Sequence, residues 1–222
     1  MTPDFDVLLL DFGGPCLVSP FELHDVAEQR FGLEPGTLSW KGPIDPDSDE
    51  LYRTMVGGGV LSEREYWYRR TAEVAELIGR PDLELHDWFH EIYDPPRPGL
   101  IRPECLAVTD AARAAGIGVS VLTNDLSAFH GEDWAKGVPF VQTLDHLVDL
   151  SHTGFLKPDP RGFELAIETV GAPADRILFL DDQPGNCDGA RAVGIETVFL
   201  DIADPASSWR EVTKRLELDV TI

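Results

Sequence analysis

Two adjacent carboxylates, Asp181 and Asp182, follow the apolar run Ile177-Leu-Phe-Leu180, and Pro184 stands just beyond them, where a helix could begin. Carboxylates at the end of a buried strand are costly unless something positive occupies the site. Magnesium answers that need, because it is hard, prefers oxygen and often takes only one or two protein carboxylates. A third carboxylate, Asp11, ends the run Val7-Leu-Leu-Leu10 and precedes Phe12-Gly13-Gly14. Between these ends lie Val121-Leu-Thr123-Asn124 and Gly154-Phe-Leu-Lys157-Pro158-Asp159-Pro160. Read as chemistry, the four segments offer a carboxylate nucleophile, a hydroxyl with an amide, one ammonium and a metal-binding acidic pair. That set suits an oxyanion such as phosphate. The metal ion and Lys157 would offset its charge, while Thr123 and nearby backbone amides would hold its oxygens.

Each segment needs an element to position it. Short β-branched or leucine-rich runs at Val7–Leu10, Gly118–Leu122, Leu147–Leu150, Ile177–Leu180 and Thr197–Leu200 predict strands. Helical patterns fit Pro103–Ala115, Pro160–Val170, Pro184–Val193 and Ala206–Leu216. The alternation implies βαβ units, a parallel sheet and an α/β fold of Rossmann-like, three-layer form. The first two strands are separated by far more chain than a crossover needs. Within that segment, Ser62-Glu-Arg-Glu65 reads as a capping box that opens a helix through Tyr66, Trp67 and Tyr68. Thr71–Ile78 continues it, Gly79-Arg-Pro81 stops it, and Asp94-Pro-Pro-Arg-Pro-Gly99 leads back to the sheet. The predicted layout is a core of residues 1–16 and 97–222 with a helical cap inserted at 17–96, above the strand ends where open α/β sheets bind ligands.

The chain has 222 residues and a net charge of −22, which argues against nucleic acid and anionic membranes as partners. A small phosphorylated molecule is the expected partner, and composition leaves a homodimer open. Cys16, Cys105 and Cys187 are odd in number and widely spaced, so free thiols in a reducing compartment are expected. No basic segment precedes a long apolar run, which makes the cytoplasm the expected location.

With all four segments in order and at family-like spacing, the chain resembles the haloacid dehalogenase superfamily of hydrolases, of the type with a helical cap after the first motif. The stretch Phe179-Leu-Asp-Asp-Gln-Pro-Gly-Asn186-Cys-Asp-Gly189-Ala190-Arg-Ala-Val-Gly194-Ile is especially similar. The resemblance implies that Asp11 attacks phosphorus and forms an aspartyl-phosphate that water hydrolyses. It implies that Thr123, with Asn124, contacts the phosphoryl group, and that Lys157 bridges that group and Asp11. Asp182 would bind Mg2+ directly, Asp181 directly or through water, and Asp11 and the Gly13 carbonyl would complete the ligands.

Gly13 is a departure, since most phosphatases of this superfamily carry a general-acid aspartate there. Glycine at this place resembles a subgroup that includes glucose-1-phosphate phosphatases and proteins similar to the phosphatase domain of epoxide hydrolases. Three outcomes stay open: a good leaving group, a substitute acid from the cap (His24, Glu63, Tyr66 or another residue), or a weakened enzyme. The leading expectation is a magnesium-dependent phosphatase of a small metabolite. A 2-haloacid dehalogenase, which needs no metal, and a non-catalytic phospholigand- or protein-binding relative are the alternatives.

Other features have plainer readings. His86 and His90, four residues apart, suit an exposed or structural pair better than zinc, and Gly57-Gly58-Gly59 suits a turn in the cap or a hinge. Trp40, Tyr66 and Trp67 would pack a core or line a pocket. Cys16 and Cys187 fall near the motifs but are expected to be buried. Asn186 is either a helper of the acidic pair or merely helical.

Overall fold

The computed structural model describes residues 4–57 and 61–222. Five strands, β1 (Val7–Leu10), β2 (Gly118–Thr123), β3 (His146–Asp149), β4 (Ile177–Asp181) and β5 (Glu196–Phe199), form one parallel sheet in the order β3-β2-β1-β4-β5. β1 and β4 are buried at every residue. A sheet covered on both faces demands this, and it explains why these runs read as continuously apolar.

The two edge strands lie one residue earlier than their apolar runs suggest. Ser120 pairs with His146 and Leu178 with Glu196, so each ladder starts on a polar residue. Leu150 and Leu200 have already turned off, donating their backbone N–H groups to Thr123 and Asp181. Edge strands expose part of their surface, so hydropathy marks their starts poorly.

Between β1 and β2 come α1 (His24–Phe31), α2 (Glu50–Val56), α3 (Glu63–Leu77) and α4 (Leu85–Tyr93). The Ser62 hydroxyl accepts from the Glu65 backbone and the Glu65 carboxylate from the Ser62 backbone, so the capping box opens α3 as its sequence predicts. Aromatic side chains fill the centre of this insert: Trp40, Tyr66, Trp67 and Trp88 are all buried. Its polar pin is Asp49, which accepts from the Tyr66 hydroxyl at 2.6 Å and the Tyr52 backbone at 2.8 Å and is paired with Arg70.

The remaining helices are α5 (Pro103–Ala114), α6 (Leu126–His130), α7 (Pro160–Val170), α8 (Pro184–Ala192) and α9 (Pro205–Arg215). Four of them begin on proline, which suits a first turn whose N–H has no helical acceptor. Side chains of α5 and α9 cover one face of the sheet with Leu8, Leu10 and Leu180. Phe163 and Ala166 of α7 and Ala190 of α8 cover the other with Leu9 and Phe179. The result is three layers, and the first apolar cluster runs on without a break into the insert. Among the described residues, no helix is long and apolar enough to cross a membrane.

The register brings the chemistry together. Leu10 lies opposite both Val121 and Leu180, so Asp11, Thr123 and Asp181 emerge along one edge. The chain runs outward from β1 through β2 to β3, then crosses to β4 on the other side. The crevice at such a reversal is where open α/β sheets bind ligands.

Candidate active site

Lys157 is the hub. Its Nζ donates to Asp11 Oδ1 at 2.7 Å, to Asp181 Oδ2 at 2.7 Å and to the Leu122 carbonyl at 3.0 Å. An ammonium has three N–H groups, and all three are spent here. The lysine thus ties Asp11 to Asp181. Asn124 lines the cavity over the site and also holds the lysine. Its amide accepts from the Lys157 backbone N–H at 2.7 Å and donates to the Lys157 carbonyl at 3.2 Å, gripping the loop that carries the lysine. Thr123 ends β2 and lines that cavity beside Asn124.

Asp181 is crowded with donors. Its Oδ1 accepts from the Gln183 backbone at 2.8 Å, and Asn186 Nδ2 lies 3.1 Å from each oxygen. Asn186 therefore orients Asp181. Asp182 accepts a hydrogen bond from none of the described residues, yet a ligand oxygen of Asp11, of Asp181 and of Asp182 lie within 4.8 Å of one another. Three carboxylates face one ammonium. Burial, offset by Lys157 and reinforced by Asp181, pushes the Asp11 carboxyl up to about 7. Burial followed by the charges of Asp181, Asp11 and Glu63 pushes Asp182 well above the ordinary carboxylate range. Burial alone would lower the Lys157 ammonium, but Asp11 and Asp181 outweigh it and hold it above its usual value. A cluster of hard oxygens with an uncompensated charge fits a divalent cation of the magnesium type. The loop after β1 leaves one more oxygen for it, because Leu17 hydrogen-bonds Phe12 and Gly14 and passes over the Gly13 carbonyl.

Two glycines allow this close assembly. Gly14 has φ +81°, and a Cβ on it would lie 2.8 Å from Asp182 Cγ. A Cβ on Gly189 of α8 would lie 2.7 Å from the Pro158 carbonyl, beside the lysine. Arg102 adds a clamp that no motif announces. It is buried, donates to the Gly14 carbonyl and pairs with Glu22 at the start of the insert.

Above the carboxylates is a cavity of about 80 Å³, lined by Asp11, Gly13, Thr123, Lys157 and Asp182 from the core. Glu63 and Trp67 of α3, Phe89 and Tyr93 of α4, and Phe129 and His130 of α6 form its other wall. Glu63 Oε2 accepts from Gln183 Nε2 at 2.7 Å, and the neighbouring Arg64 pairs with Asp125. The first turn of α3 is thereby tied to the core at two points. Burial first, then the charges of Asp11 and Asp125, lifts the Glu63 carboxyl to about 7.

His130 stacks on Trp134 with ring centroids 4.1 Å apart, and burial, aided by His86, pushes it down to about 3. An unfolded chain protonates this histidine near 6.5, while the folded chain resists until about 3. Stability is therefore lost as pH falls from 6.5 toward 3. Replacing His130 with Phe is expected to flatten that part of the curve, read as Tm against pH. An unchanged slope would mean that other groups carry the acid sensitivity.

Several sequence features stay outside the site. His86 and His90 are exposed and stack on each other, and the only group of three potential ligands among the described residues is the aspartate cluster. Cys16 and Cys187 are buried, with burial as the first cause pushing Cys16 well above, and Cys187 to about 12 from, the ordinary thiol value. Thiolates are the reactive form, and burial disfavours that form at both positions. Trp40 packs inside the insert, whereas Trp67 both packs there and faces the cavity. Gly58 and Gly59 lie outside the described residues.

Residues 17–194 match the family of haloacid dehalogenase-like hydrolases. The chain is 29% identical over 172 residues to Enolase-phosphatase E1 of Streptomyces avermitilis, covering 64% of this chain and 71% of that protein. It is 33% identical over 203 residues to Acyl-CoA dehydrogenase family member 10 of Mus musculus, covering 91% of this chain but only 18% of that larger protein. The fold is similar to that of a HAD-like family hydrolase from Porphyromonas gingivalis, with a TM-score of 0.54, 19% identity, and coverage of 96% and 98% of the two chains. Sheet order, strand-end carboxylates and sequence similarity agree: this chain belongs to the haloacid dehalogenase-like hydrolase family.

Proposed function

We propose that the protein is a magnesium-dependent phosphatase of a small phosphorylated metabolite, working through an aspartyl-phosphate on Asp11. The observation that carries this reading is the charge imbalance at the strand ends, where Asp11, Asp181 and Asp182 share the single ammonium of Lys157 and Asp182 itself is ion-paired with none of the described residues. A dehalogenase needs no metal and would have no use for that extra carboxylate. A phosphatase uses it twice, to hold the ion and, through the ion, to accept a dianionic group.

Asp11, Asp182, the Gly13 carbonyl and Asp181, directly or through water, would hold the magnesium. When bound, the ion supplies the positive charge that draws phosphoryl oxygens toward Asp11. Lys157 favours the ionised form of Asp11 against burial and aims it, and Asn124 and Asn186 fix Lys157 and Asp181 in turn. Thr123 offers its hydroxyl to a phosphoryl oxygen. The leaving group then points at Trp67, Phe89 and Phe129, and the small cavity favours a compact, largely apolar group. In this reading residues 17–96 act as a cap over the core formed by 1–16 and 97–222.

The test is phosphate release from a panel of phosphate monoesters with and without magnesium, alongside Asp182→Asn. Wild type is expected to need the metal. Asp182→Asn is expected to lose that dependence together with its activity. Because folding must now bury one charge fewer, the metal-free variant should be more stable than wild type by about 0.5–2 kcal/mol near neutral pH. Its advantage should shrink as pH falls, since wild-type Asp182 takes up a proton in the folded state before the unfolded one. Chloride release from 2-haloacids without magnesium would overturn the proposal.

A further inference from the structure

We infer that Glu63, carried on the insert, is the general acid and base of this enzyme and replaces the aspartate that Gly13 lacks; the inference rests on the phosphatase reading above. With glycine at position 13, no carboxyl beside Asp11 on β1's own loop can protonate a leaving oxygen. The proton must come from another group that lines the cavity.

Elimination leaves one. Asp125 is paired with Arg64, and the Tyr93 hydroxyl donates to the Val18 carbonyl at 2.7 Å. His130 lies flat against Trp134, buried and held neutral. Of the other insert candidates, His24 sits edge-on to Trp40 at 4.4 Å and Tyr66 is bonded to Asp49, both inside the insert. Glu63 lines the same cavity as Asp11 and Lys157, and Gln183 grips only its Oε2. Its Oε1 is engaged by no described residue. Gln183 directly follows the metal-site pair Asp181-Asp182, so the amide that positions this carboxyl is itself placed by the site.

The proton balance closes over two steps. As Asp11 bonds to phosphorus and the ester P–O bond breaks, the Glu63 acid gives its proton to the departing oxygen. The resulting carboxylate then takes a proton from the water that attacks phosphorus. Phosphate leaves, Asp11 recovers its carboxylate and Glu63 its proton.

Leaving-group dependence separates a proton donor from a structural contact. Glu63→Gln keeps the shape and a bond to Gln183 but has no acidic proton. It is expected to slow hydrolysis of an alkyl phosphate by roughly 10²–10⁴-fold in kcat. Hydrolysis of p-nitrophenyl phosphate, whose leaving group needs no proton, should fall by less than about tenfold. Adding Gly13→Asp should restore alkyl turnover, since a Cβ on Gly13 would have only Asp11 Oδ2 nearby, at 4.0 Å. Equal losses on both substrates, or no loss on the alkyl ester, would overturn the role of Glu63 while leaving an Asp11-dependent phosphatase intact. Absence of Asp11-dependent release from wild type on either substrate would instead remove the phosphatase reading, and this inference with it.

Discussion

Asp11→Asn is expected to lower phosphate release by on the order of 10⁴–10⁶-fold, the range found when a covalent nucleophile is removed from a preorganised site. The amide is nearly isosteric and can still accept from Lys157, whose other bonds to Asp181 and Leu122 remain. The site should therefore keep its shape while losing the atom that attacks. Removing a buried charge from a cluster of three carboxylates also relieves repulsion, so folding should not suffer. Acid quenching during turnover should trap a phosphorylated protein from wild type and none from the variant. A variant within about tenfold of wild type would mean that another group attacks.

Lys157→Met should have the largest effect on stability. It strands Asp11 and Asp181 next to each other with their shared cation gone. Breaking a buried pair by removing one partner typically costs about 3–5 kcal/mol. For a chain of this size that corresponds to a fall in Tm of roughly 6–20 °C. The loss should grow with pH, because both carboxylates are easier to bury protonated. Adding Asp11→Asn to Lys157→Met should recover part of it, since the two residues share one interaction and cannot act additively. A Tm within about 2 °C of wild type would show that the lysine is not structural.

The sequence made the fold legible where a single physical demand governs a run. β1 and β4 are buried on both faces, so they could only be apolar, and proline marks four helix starts. The edge strands balance burial against exposure, and their starts at His146 and Glu196 carried no apolar signal. In the site, Asp11, Lys157, Asp181 and Asp182 could be read because strand-end carboxylates and a lone ammonium are unusual. What could not be read were partners. The Asn124 grip on Lys157, the pairing of Glu63 with Gln183 across the chain, and the Arg102 clamp on Gly14 depend on tertiary approach. Gly14 could have been suspected from the pair Gly13-Gly14, but only the 2.8 Å approach to Asp182 says which of the two is sterically required.

The two bonds that join the first turn of α3 to the core, Glu63 to Gln183 and Arg64 to Asp125, bear on how this enzyme could diversify. An insert that only recognised substrate could be exchanged for a relative's, and the core would carry on with its chemistry. In the role proposed for Glu63, the insert also delivers the proton. A chimera with a foreign insert would inherit the proposed nucleophile and metal site but not the proposed acid, unless position 13 changed at the same time. On that reading, specificity is altered at least cost by substitutions around Trp67 and Phe89 that spare Glu63, whereas exchange of the whole segment calls for an acid at position 13 as well.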